Sequence, residues 1–147
     1  MDMRKMFMVF LILATGLVSG CSLLDGVNQT KNYVDKATKH IETLRNFSEE
    51  APQMIKEAAT NADLKSELGV ELTVLKEEIA AFNQIETPAL AKDIHQKIIE
   101  KNNEIETAIN EATVNGELVI EKIENSQLFQ LINDVTRLMD QIEKLGL

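Results

Sequence analysis

Apolar positions recur along this chain at threes, fours and sevens, the spacing that gathers one face of an α-helix. Val27, Val34, Ala37, Ile41 and Leu44 form such a face, extended by Phe47, and predict a helix from about Gly26–Asn28 to Phe47. Ser48 and Pro52 predict a break and restart, because proline is tolerated in a first helical turn and disruptive further in. A short second helix then runs to about Thr60 with Ile55, Ala58 and Ala59 inward. Asn61 and Asp63 are cap residues for a helix striped by Leu64, Leu68, Leu72, Leu75, Ile79 and Phe82. Gly69 inside it costs about 1 kcal/mol against alanine and allows a local kink. Thr87-Pro88 starts a long helix with the stripe Ala91, Ile94, Ile98, Ile105, Ile109 and Ala112, and Asn102 occupies an otherwise apolar slot. Asn115-Gly116 is a stop or turn signal. Glu117 to Glu124 reads as a short helical piece, and Ser126 as the cap of a last helix whose Leu128, Leu131, Val135, Leu138, Ile142 and Leu145 alternate by threes and fours up to Gly146. No stretch alternates convincingly with period two. The pattern predicts an all-α fold, an antiparallel helical bundle of about four long helices plus short helical pieces over residues 27–147.

The first 20 residues follow a different rule. Arg4 and Lys5 precede an apolar run from Met6 to Ala14 that continues, with small interruptions, to Val18. That is a signal peptide, too short to span a bilayer, which takes roughly 20 apolar residues. Val18-Ser19-Gly20-Cys21 is the aliphatic–small–small–cysteine order of a bacterial lipobox. A thiol is needed at the last position because a diacylglycerol is transferred to its sulfur, and small residues before it let the extended chain enter the peptidase. Cleavage is expected between Gly20 and Cys21, with lipidation on Cys21 and two acyl chains giving firm anchoring. Ser22 to Gly26 is expected to form a short linker, too short to let the body roam.

Composition narrows the chemistry. The chain has 147 residues, one cysteine and two histidines. A single cysteine excludes an intramolecular disulfide and a multi-cysteine metal site. Between Asn28 and Phe47, Lys31, Lys36, Lys39 and Arg45 outnumber Asp35 and Glu42, whereas from Ser48 onward 9 basic residues face 20 acidic ones. Such a surface repels nucleic acid. The basic segment adjoining the anchor reads either as membrane-facing or as accidental imbalance. His40 and His95 lack the Glu-x-x-His spacing of a bundle di-iron site and the chain lacks HExxH; haem ligands and ordinary half-exposed helix residues remain the two readings. Ser22, Ser48, Ser66 and Ser126 sit in no Gly-x-Ser-x-Gly elbow. Asp63, Glu67 and Glu71, and Glu117 with Glu121, share helix faces that either collect cations weakly or are simply solvated. Asn102 either fixes register or faces water. No enzyme activity, cofactor or metal site is expected.

Ser19-Gly20-Cys21-Ser22-Leu23-Leu24, Tyr33-Val34, Ala37-Thr38 and Asn46-Phe47-Ser48-Glu49-Glu50-Ala51-Pro52-Gln53 resemble a family of small uncharacterised lipoproteins of Bacillus and its relatives, a domain of unknown function. Leu75-Lys76-Glu77-Glu78-Ile79, Phe82-Asn83, Asp93-Ile94-His95-Gln96 and Gln141-Ile142-Glu143 extend the resemblance over essentially the whole mature chain. It implies a Gram-positive envelope lipoprotein with a helical body and carries over no functional residues. The expectation is a protein on the outer face of the cytoplasmic membrane, partnered by the membrane through its diacylglycerol and by an envelope protein or polymer. The alternative is a carrier or sensor of a small apolar ligand held in the bundle core. The last helix could pair within the chain or with another copy.

Overall fold

The computed structural model describes the backbone of residues 20–146 and the side chains of residues 26–146. The expected signal peptide, save the backbone of Gly20, and the Cys21 side chain lie outside the described residues. Helix α1 spans Gly20–Ala58, 39 residues, about 58 Å at 1.5 Å rise per residue. Two expectations are corrected here. Residues 21–26 are helical backbone, not a linker; the Thr30 hydroxyl donates to the Gly26 carbonyl at 2.9 Å. The break at Ser48–Pro52 does not occur, and Pro52 lies inside the helix. Proline there removes one backbone hydrogen bond and crowds the preceding turn, a cost of about 3 kcal/mol. Ala51, Ile55 and Ala58 nevertheless continue the buried face of Ala37, Ile41 and Leu44, and burying an isoleucine alone contributes about 1.5–3 kcal/mol. Pro52 itself is exposed, so its ring displaces no core packing. The buried face is also rotated from the expected one: Val27 is 66% exposed, while Tyr33 and His40 are buried.

A three-residue turn leads into α2, Ala62–Asn83. Asn61 caps it as expected, its side-chain oxygen accepting from the backbone N–H groups of Asp63 at 2.9 Å and Leu64 at 3.3 Å. The leucine stripe is buried except for half-buried Leu64, and the helix continues through Gly69. A 3₁₀ turn, Ala89–Ala91, opens α3, Lys92–Glu111. Its whole expected stripe is buried, with Asn102 at 0% exposure among it.

Strands β1, Thr113–Val114, and β2, Glu117–Leu118, then pair antiparallel. Asn115 and Gly116 both take positive φ, 53° and 83°, the pairing that a two-residue type I′ hairpin turn requires. Two-residue strands are too short to print an alternation, so only the turn was legible. The hairpin consumes the first residues of the expected 117–124 helix, leaving α4 as Ile120–Glu124. The Lys122 ammonium reaches back to the Glu111 carbonyl at 3.2 Å, placing a cation at the C-terminus of α3.

The last helix, expected as one piece, is two: α5, Leu128–Thr136, and α6, Met139–Glu143, followed by a 3₁₀ turn at Lys144–Gly146. Between them, Leu138 N–H bonds to Val135 O at 2.9 Å and Gln141 N–H to Leu138 O at 3.0 Å. These tighter i→i+3 bonds turn the stripe, leaving Leu138 and Leu145 half-buried while Ile132 and Ile142 are fully enclosed. Helix α1 packs against α2 on one flank and α5 and α6 on the other, and α3 closes the ring between α2 and α5. The fold is the expected all-α bundle, decorated by one small hairpin.

Replacing Pro52 by alanine restores the missing N–H at an exposed site. Urea unfolding should show Pro52→Ala stabilised by about 2 kcal/mol or slightly more, the helical gain less the entropy returned to the unfolded chain.

Candidate functional site

The two histidines, read from sequence as half-exposed or haem-binding, are both buried, each at 7% exposure. They lie where α1, α2 and α3 meet. His40 on α1 stacks face to face on Phe82 of α2, ring centroids 4.1 Å apart and planes 4° from parallel. His95 on α3 meets the same phenylalanine edge-on at 5.2 Å and Tyr33 of α1 edge-on at 5.5 Å. Four rings thus form one chain of contacts, Tyr33–His95–Phe82–His40.

Hydrogen bonds complete the cluster. His40 Nε2 lies 3.1 Å from Asn102 Oδ1. An amide oxygen only accepts, so His40 carries its proton on Nε2 and donates. Asn102 Nδ2 donates to Asn83 Oδ1 at 2.7 Å, and Asn83 Nδ2 to Asn103 Oδ1 at 3.4 Å, at the surface. On the other side, Tyr33 Oη lies 3.3 Å from His95 Nδ1. His95 also hydrogen-bonds the Asn83 backbone; with that nitrogen protonated, Nδ1 is the acceptor and the Tyr33 hydroxyl donates. Asn102 therefore takes the register-fixing role among the two readings. Among the described residues, no buried side-chain nitrogen or oxygen lacks a partner.

Both cross-bundle pairs span 62 residues of sequence. Tyr33 and His40 are one heptad apart, as are His95 and Asn102. An equal offset means α1 and α3 run in the same direction, as alternate helices of an up–down–up bundle must. The heptad repeat of polar core residues on two helices is the sequence signal for this cluster; periodicity places Phe82 on the α2 stripe without tying it to the histidines, and Tyr33 stands outside the expected α1 face because Val27 and Val34 are the more apolar residues nearby.

Burial sets the charge state. Desolvation pushes His40 down to about 4, against the pull of its Asn102 hydrogen bond, and His95 acts in the same direction. Desolvation also lowers His95, opposed by the Asn83 backbone, and raises Tyr33 to about 12. All three are neutral at pH 7. What the arrangement does chemically is hold register without charge; His40 Nε2 is committed to Asn102.

The other sequence candidates stay apart. Asp63, Glu67, Glu71, Glu117 and Glu121 are exposed, the solvated reading of those rows. Among the described residues no group of three or more histidine, cysteine, aspartate or glutamate side chains is placed to hold a metal ion, and no helix is long and apolar enough to cross a membrane. Ser126 serves its α5 terminus, accepting from Leu128 N–H at 3.3 Å.

The unfolded chain protonates His40 near the ordinary 6.5 and the folded chain only near 4. Stability is therefore full above pH 6.5 and falls as pH drops toward 4. Urea titrations should show wild type losing about 2 kcal/mol between pH 7 and pH 5 on this account, with His95 adding in the same direction. His40→Gln, whatever its starting stability, should show a fall shallower by about that amount; parallel curves would exclude burial of a neutral His40.

Comparison with known proteins places the chain. No solved structure matches it. It is similar to the uncharacterized lipoprotein YybP of Bacillus subtilis strain 168, 33% identical over 136 residues that cover 89% of this chain and 92% of that protein. Residues 33–145, which hold all four rings and both cross-bundle hydrogen bonds, match the family of unknown function DUF6376, and the chain belongs to that family.

Proposed function

We propose that this chain is a lipid-anchored cell-envelope protein, held on the outer face of the cytoplasmic membrane by a diacylglycerol on Cys21, whose helical body is a non-catalytic binding module for an envelope protein or polymer. The observation that carries the reading is the ordered run of Arg4-Lys5, apolar segment, and Val18-Ser19-Gly20-Cys21. The word lipoprotein in the name of the Bacillus subtilis relative supports it. So does α1, which passes from Cys21 into the body as continuous helix.

A binding role is supported by the end of the bundle farther from Cys21. There a groove of about 840 Å³ runs between α2, α3 and the hairpin. Val70, Val74 and Val114 stand exposed at 60%, 45% and 41%, on a body whose residues from Ser48 onward are predominantly acidic. Exposed apolar surface with a polar rim is the signature of a contact site. The carrier alternative has less in its favour: Ile41, Leu44, Ile79, Ile98 and Ile105 fill the core at 0% exposure, where a bundle ligand would sit.

Metabolic labelling with a fatty-acid analogue, read in cell fractions for wild type and Cys21→Ala, tests the anchor. Label and membrane association should be lost together in the variant. An unlabelled wild-type protein in the cytosol would contradict the reading. A photo-crosslinker at Val74 should then capture a reproducible surface partner that one at Glu100 does not.

A further inference from the structure

The bundle has a second exposed apolar site, and it lies at the anchor end. Val27 of α1 and Leu90 of the turn before α3 are 66% and 75% exposed. They share a groove of about 460 Å³ whose walls include Pro88 and Leu145. The chain's C-terminal turn is at the same end: Gly146 lies against Val34, to which a Cβ there would approach within 3.6 Å. The helical packing makes little demand for an apolar residue at Leu90, which is three-quarters exposed.

We propose that this end of the bundle rests on the lipid surface, with Val27 and Leu90 in the headgroup layer. The inference builds on lipidation of Cys21 and adds an orientation for the body. Val27 is six residues along α1 from Cys21, about 9 Å of helix. A headgroup layer is about 5–8 Å thick on each face of a bilayer. A helix rising upright from a sulfur held at the edge of the acyl region therefore brings Val27, and Leu90 beside it, to the outer boundary of that layer, and a tilt of the helix lowers both into it.

Charge agrees with the placement. Lys31 is the one charged residue lining this groove, whereas residues from Ser48 onward carry 9 basic against 20 acidic side chains. A groove so lined approaches an anionic surface without the repulsion that a predominantly acidic surface would meet. The groove beside Val70 and Val74, near the start of α2, lies tens of ångströms farther along α1 by the same rise per residue. It cannot touch the same bilayer while α1 stands away from it.

The test uses the full lipidated protein in phosphatidylglycerol–phosphatidylethanolamine vesicles. Cys21 is the sole cysteine, and its sulfur is alkylated when the anchor is present, so Leu90→Cys and, separately, Val74→Cys each offer one free thiol for an environment-sensitive fluorophore. A nitroxide carried on the lipid headgroup should quench the label at 90 at least threefold more than the label at 74, and Val27→Cys should behave as 90 does. Equal quenching at 90 and 74, in protein whose mass includes the diacylglycerol, would overturn the docking and leave the anchor standing. A purified protein whose mass lacks the diacylglycerol would overturn both.

Discussion

The bundle depends on a pair of hydrogen bonds drawn across its diagonal around one phenylalanine. Tyr33 to His95 and His40 to Asn102 join α1 to α3 at the same 62-residue offset, and Phe82 of α2 stacks between them. Leucine and isoleucine stripes tolerate sliding by a turn at modest cost, because one apolar contact resembles the next. A polar pair does not: a slip of α3 by one turn would leave His40 Nε2–H and Asn102 buried without partners, about 1–3 kcal/mol for each group. Register among three helices is set at one place, and the apolar stripes above and below it follow.

The same cluster explains why two histidines can sit in a helical core without making a charged or metal-binding site. His40 has its protonated nitrogen assigned by Asn102 and His95 its accepting nitrogen by Tyr33, and the rings of Phe82 and Tyr33 pack against them. Burial then favours the neutral form, so that the cluster is stable near neutrality and weakens in acid. Above it, α1 continues past Pro52 because its inward face has a partner in α2 along its whole upper half. Below it, α1 continues toward Cys21 as helix. A body carried on such a helix keeps a defined height and tilt relative to whatever holds its first residue, which a flexible tether would not provide.

Much of this was legible in the sequence. Leu68 to Phe82 and Ala91 to Ala112 fall on the buried faces that periodicity assigned them, and Asn61 and Asn115-Gly116 do what their local chemistry dictates. The failures have physical causes. Pro52 was read by local propensity, which tertiary burial of Ala51 and Ile55 overrides. The split at Arg137–Leu138 follows from backbone tightening that no residue type announces. The cluster was half visible: Asn102 stood out in an apolar stripe, but its partner was masked because His40 lies one position from Ile41, and hydropathy alone favours a face through Val27 and Val34. A search for polar residues repeated at seven on two separate helices would have found it.

The most direct measurement is nitrogen-15 NMR of the histidine rings in the folded protein across pH 7 to 3.5. The cluster requires His40 to be the Nε2–H tautomer at pH 7, with that proton protected from exchange, and to take up its second proton only near pH 4. A His40 ring that titrates near 6.5 in folded protein, or that carries its neutral proton on Nδ1, would contradict the hydrogen bond to Asn102 and with it the element that sets the register of the bundle.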